Sequence, residues 1–176
     1  MAIVVILAAL AAWAFVYWGV YNVAADVPHT RLVYGLLETA RDRSVAMRAR
    51  NIPVPADLED PKRVAAGAGL YDDMCANCHL APGMEKTEIS QGLYPRAPEF
   101  TEPSDLTPAE AFWIVKHGIK MTGMAAWGVT HGDTLIWDMV AFLQKLPSLS
   151  PDQYQVLVKS APEDHHEVMA DQGTGR

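Results

Sequence analysis

The chain has 176 residues, half of them hydrophobic and a fifth charged, with a formal net charge of −7. That is one ordinary domain with appendages, and the negative charge argues against a nucleic-acid partner, since a phosphate-binding face needs clustered Lys and Arg. Cys75 and Cys78 are the only cysteines, so a disulfide framework is excluded as well.

Residues Ala2 to Ala25 carry no charged side chain, and Asn22 is the only strongly polar one. As one helix this run would extend about 33 Å, enough to cross a bilayer. Trp13, Tyr17, Trp18 and Tyr21 gather towards its C-terminal end, as rings at a membrane–water boundary do. A cleaved signal peptide ending at Val23-Ala24-Ala25 is the competing reading. The apolar run is longer than the usual ~7–15-residue core of such a peptide, and no basic segment precedes it. We therefore expect a retained single-pass transmembrane helix over residues 1–25. Arg31, Arg41, Arg43, Arg48 and Arg50 all follow the span, which by charge alone places the rest of the chain inside. The motif at residues 75–79 asks for the opposite side, and Asp26, Glu38 and Asp42 dilute the basic cluster.

Thr30 to Arg50 has helical periodicity, with Leu32, Val33, Leu36, Leu37, Ala40 and Met47 near one stripe and Thr30 as its cap. That stripe must bury against lipid headgroups, a partner subunit or the chain's own body. Asn51-Ile52-Pro53-Val54-Pro55 has the composition of a stiff, extended spacer, which completes an appendage over 26–59.

Asp60-Pro61 reads as an N-cap and first helical residue, opening a helix through Ala65, Ala66, Leu70 and Tyr71 into Cys75. It runs into Cys75-Ala76-Asn77-Cys78-His79, the spacing that covalent haem attachment needs. Two thiols three positions apart reach two vinyl groups of one porphyrin, and the next residue offers an imidazole to the iron. A zinc site lacks its second ligand pair, and a redox disulfide lacks its βαβ context. Residues 80–106 carry turn residues and little periodicity, and read as a loop around one porphyrin edge. Thr107-Pro108-Ala109-Glu110 is a capping box starting a helix that ends at His117-Gly118.

Met121 and Met124 follow in a Gly-flanked loop. A thioether opposite imidazole favours reduced iron, which suits electron transfer, while His117 and His131 are the alternative ligands. A last helix is expected from Asp133 to Lys145, with Leu135, Met139, Phe142, Leu143 and Leu146 on its apolar face and Pro147 as its stop. The acidic tail over 148–176 contains His165-His166; a short helix is expected from Ser150 and disorder at its end. Trp113 and Trp137 read as core, while Trp127 is a candidate for lining the pocket.

Over residues 60–147 the chain resembles class I c-type cytochromes. Gly67 and Tyr71 stand eight and four positions before Cys75, where that family keeps a small residue and an aromatic, and Phe142 matches the aromatic of its last helix. Gly123-Met124-Ala125-Ala126-Trp127-Gly128 is similar to the family's ligand loop, except that Ala125 stands where proline is common. The resemblance implies an all-α fold around one covalent haem c, attached through Cys75 and Cys78 with iron held by His79 and Met124. It also implies a backbone carbonyl, from Pro95 or Pro98, accepting the Nδ1–H of His79. The missing proline is expected to loosen the Met124 loop.

The function expected is that of an electron carrier rather than an enzyme. Such a protein is anchored in the bacterial inner membrane, with its haem domain in the periplasm, and serves membrane-bound respiratory redox partners. Lys86, Lys116 and Lys120 are candidates for steering those partners. The alternative is a fixed electron-transfer subunit of a larger terminal oxidase or dehydrogenase complex. A haem enzyme or gas sensor with a labile sixth position is the third reading, motivated only by Ala125.

Overall fold

The computed structural model describes residues 1–162, so His165 and His166 and the expectation placed on the end of the tail lie outside the described residues. Eight α-helices make up the described chain, with no strand among the described residues. The all-α expectation holds.

Helix α1 covers Ala2–Tyr17 and corrects the expected membrane span. Its 16 residues rise about 24 Å, less than the ~30 Å of a hydrocarbon core. Gly19 is the reason. It adopts a left-handed φ of 61°, its N–H donates to the Val16 carbonyl, and the Val20 N–H reaches back to Phe15. That pair of bonds is a Schellman stop. Among the described residues no helix is long and apolar enough to cross a membrane.

Helix α2, Arg31–Ala49, matches its expected range, and the Thr30 hydroxyl accepts from the Val33 N–H at 3.4 Å. The face it buries is not the leucine stripe: Val45 and Ala49 are the residues that disappear, and α2 packs on α6. Nor is the following segment a bare spacer, because Ile52 and Leu58 pack into the core. The chain before α2 is fastened too. The His29 backbone N–H donates to the Tyr94 hydroxyl at 2.8 Å, and the His29 ring lies edge-on to Tyr94 and stacked on Tyr21.

Helix α3 (Pro61–Met74) begins where Asp60 accepts from the Lys62 N–H at 2.8 Å, and runs into the short α4 (Ala76–His79). Helix α5 (Glu88–Gly92) interrupts the segment read as loop; five residues capped by Thr87 are too short to show a helical period. Helix α6 (Pro108–His117) starts at the expected capping box of Thr107 and Glu110. A 3₁₀ turn over Trp127–Val129 precedes α7 (Asp133–Lys145), which ends in a second such turn at Leu146–Ser148. Helix α8 (Pro151–Lys159) starts at a second capping box, formed by Ser150 and Gln153.

The centre of the molecule is the crossing of α3 and α7. A Cβ built on Gly67 would lie 1.9 Å from the Asp138 carbonyl oxygen, so only glycine lets the two backbones approach this closely. Tyr71 and Phe142 meet there with ring centroids 5.3 Å apart. Helix α8 covers the crossing: buried Tyr154 tilts against Phe142, and its hydroxyl donates to Asp72 at 2.6 Å. On the other side Arg63 reaches Asp138 at 2.6 Å and Asp57 at 3.0 Å, fastening the entry of α3 to α7.

Candidate functional site

Cys75 stands between α3 and α4, Cys78 lies within α4, and both are free thiols. Burial, with the neighbouring Cys78 adding to it, pushes the Cys75 thiol up to about 12. Redox dithiols work with a depressed thiol pKa, so this environment opposes the disulfide-exchange reading.

His79 ends α4 and is buried. Its Nδ1 is hydrogen-bonded to the Pro98 carbonyl at 2.8 Å, which decides between the two prolines. As the donor in that bond, Nδ1 leaves Nε2 with its lone pair. The ring also stacks on Phe100 at 4.6 Å and 22°. Burial lowers the pKa of His79, and the bond to Pro98 only partly opposes it, so the neutral, ligating form is favoured. One three-residue stretch, 98–100, thus fixes both the edge and the face of the imidazole. The stacking partner had no signal in the sequence, since Phe100 sits in a segment without periodicity.

The turn behind His79 is equally constrained. Leu80 takes a left-handed φ of 61°, a conformation costly for a branched side chain. The hydroxyl of fully buried Tyr71 donates to the Leu80 carbonyl and holds it there. Besides packing on Phe142, Tyr71 thus does a second job, through its hydroxyl, that spacing did not reveal.

The two methionines are placed very differently. Met121 is 95% exposed at a left-handed φ of 60°, whereas Met124 is half-buried and packs against the core cluster that contains Leu70, Phe112 and Trp137. The loop is braced despite Ala125. The Ile119 N–H donates to the Met124 carbonyl at 3.2 Å, and the Thr122 hydroxyl both donates to Ile119 and accepts from the Met124 N–H at 3.1 Å. These bonds supply restraint that a proline supplies through φ. His117 is exposed at the end of α6, and His131 is buried against the Trp127 ring with Nδ1 at 2.8 Å from Thr130. Trp137 stacks on Phe112 within the core, as expected of it, and half-buried Trp113 lies against His117.

Of the three lysines considered for steering, Lys116 is engaged by Asp133 and lies over the Phe112 ring. Lys86 lies 3.9 Å from Glu99. Cys78, Lys86 and Arg96 share a cleft of about 210 Å³, with Arg96 contributing a basic group that sequence reading passed over.

A family model described as cytochrome c oxidase, cbb3-type, subunit III matches residues 62–143, just under half the chain. No curated protein and no solved structure matches the chain significantly. The matched segment is a c-type cytochrome domain, and such a domain carries covalently bound haem c with its iron. The residues fit that group: two free thiols at the required spacing stand beside a neutral imidazole whose Nδ1 is already engaged.

Proposed function

We propose that this chain is a monohaem electron carrier serving membrane-bound respiratory partners on the periplasmic side of a bacterial inner membrane. Haem c, when bound, supplies an iron that gains and loses one electron. Cys75 and Cys78 would hold it through thioether bonds, and His79, through Nε2, and Met124 would supply ligands to its iron. Phe100 and the Pro98 carbonyl orient the imidazole, so its geometry changes little between oxidation states and reorganisation stays small. Met124 is chosen over Met121 because it packs into the core from a braced loop, while Met121 points to solvent. Arg96 in the cleft beside Cys78 suits an acidic redox partner, while Lys86 there is paired with Glu99.

The observation that carries this reading is the buried His79 ring, held by Pro98 and Phe100 next to two unpaired thiols. Denaturing electrophoresis tests it: the full chain matured in a periplasm should retain haem-linked peroxidase stain. Replacing both cysteines by serine should abolish the stain, and an unstained native chain removes the reading.

The tether to the bilayer is the uncharged segment 2–25, whose helix α1 is apolar all round and buries no residue. A helix shorter than the hydrocarbon core is accommodated by local thinning and by interfacial rings such as Trp13 and Trp18.

A second reading, a fixed electron-transfer subunit of a terminal oxidase, is favoured by the description of the matching family. Extraction in mild detergent separates the two: a carrier migrates alone, and a subunit co-purifies with further haem or copper proteins.

A further inference from the structure

Helix α2 presents two unlike faces. Residues 34, 38, 41, 45 and 49 follow helical spacing on the side that packs towards α6, where Val45 and Ala49 are buried. Leu32, Leu36, Ala40, Arg43, Met47 and Arg50 follow the same spacing on the opposite side. There Leu32, Leu36 and Met47 are 82%, 69% and 58% exposed. Three large apolar side chains on one exposed helical face are a surface awaiting a covering phase.

The charges on α2 indicate which phase. Its carboxylates are both taken by one arginine: Arg41 lies 3.5 Å from Glu38 and 2.8 Å from Asp42. Arg31 and Arg43 make no ion pair with any described residue. Arg48 and Arg50 bond only within the helix region, to Ser44 and to the Met47 carbonyl. The outward face therefore combines a leucine–methionine stripe with unneutralised guanidinium groups. Guanidinium groups match phosphate in a bidentate geometry, and Arg43 and Arg50, which stand within the apolar stripe, have stems long enough to reach back to headgroups while the leucines enter the interface.

We infer that the outward face of α2 seats on anionic phospholipid headgroups, with Leu32, Leu36 and Met47 entering the acyl boundary and Arg43 and Arg50 meeting phosphates. This rests on the bilayer tether proposed above, because α1 delivers α2 to the same surface after only the 13 residues between Tyr17 and Arg31. Its consequence goes further than tethering. Helix α2 is packed on α6, Ile52 and Leu58 are in the core, and His29 is bonded to Tyr94 in the loop that leads to Pro98. Seating α2 thus fixes the orientation of the cytochrome domain on the membrane instead of leaving it on a free tether.

The test uses the full haem-loaded chain, whose two native cysteines are consumed by thioethers, with Leu36→Cys carrying an environment-sensitive fluorophore. The vesicles are phosphatidylcholine with one quarter phosphatidylglycerol and a shallow nitroxide-bearing lipid as quencher. The label at position 36 should be quenched, while the same label at exposed Gln91 stays dark to the quencher and open to aqueous iodide. Arg43→Glu, or vesicles without phosphatidylglycerol, should weaken the seating by about fivefold per charge. If Trp13 and Trp18 are quenched but position 36 remains open to iodide, the inference falls and the tether stands. If neither the tryptophans nor position 36 are quenched, the tether itself falls and takes the inference with it. Shielding of position 36 in native membranes but not in vesicles assigns the face to a protein partner and overturns the lipid assignment.

Discussion

Helices α3 and α7 bury Leu70, Tyr71, Ile136 and Phe142 completely, whereas α1 and α2 leave equally apolar side chains such as Leu7, Trp13, Leu32 and Leu36 exposed. The residue types differ little between the two regions; the partner differs. At the crossing each apolar group meets another part of the same chain at close-packed distance. In the N-terminal region α1 buries no residue and the leucine stripe of α2 stays open while Val45 and Ala49 pack towards α6, which is how helices with a face made for another phase look. Single substitutions of comparable size should therefore have opposite consequences in the two places.

The largest contrast is expected at Gly67. An added Cβ would stand 1.9 Å from the Asp138 carbonyl oxygen and 2.8 Å from the Phe142 Cβ, and backbone cannot rotate away. Gly67→Ala should cost about 3 kcal/mol or more in urea denaturation, at or above the usual range for overpacking. A loss below about 1 kcal/mol would mean that the helices do not cross as closely as described.

Met124→Ala comes next. Loss of the thioether should lower the haem potential by on the order of 0.1 V, within the ~0.8 V that axial ligands span. It should also remove the methionine–ferric charge-transfer band. Met121→Ala, on a side chain 95% exposed, should leave both unchanged. If Met121→Ala produces the shift and Met124→Ala does not, the ligand assignment is reversed.

These two positions also show where the sequence was legible and where it was not. Helices with chemical punctuation were readable: Asp60-Pro61, Thr107 with Glu110, Ser150 and Pro147 each mark a terminus that the structure reproduces. Periodicity found α2 but not its buried face, because a stripe of leucines says that a surface will be covered without saying by what. Hydropathy overran Gly19, since averaging over a window hides a residue whose left-handed φ ends the helix. The Cys75–His79 cluster is contiguous and so visible in sequence, whereas Phe100 and the Tyr71 hydroxyl act across 21 and 9 residues, where spacing carries no message, and the resemblance alone narrowed the carbonyl to Pro95 or Pro98.

Tyr71→Phe probes that hidden layer. The ring and its contact with Phe142 remain, and only the hydroxyl that donates to the Leu80 carbonyl is lost. A buried carbonyl left without its partner costs about 1–2 kcal/mol, measured as lost denaturation free energy. Because Leu80 carries the left-handed turn directly behind His79, the variant should also lose the spectrum of the His79-ligated haem at a lower denaturant concentration than the parent. An unchanged midpoint would make Tyr71 a packing residue alone.

The smallest effect is expected in α2 and has the opposite sign. Gly35 lies inside the helix, yet a Cβ built there meets nothing within 4 Å, and its φ is not left-handed. Alanine at such a site gives up no contact and restricts the unfolded chain, so Gly35→Ala should stabilise by about 0.5–1 kcal/mol. The same substitution, one methyl for one hydrogen, is thus expected to damage the crossing and to improve α2. Hydrogen exchange reads the second effect locally: amides of α2 should slow by several-fold while those of α3 and α7 stay as they were. A destabilisation at Gly35 would show that another surface closes on that side of α2 as tightly as α7 closes on Gly67, and the contrast between the two regions would then disappear.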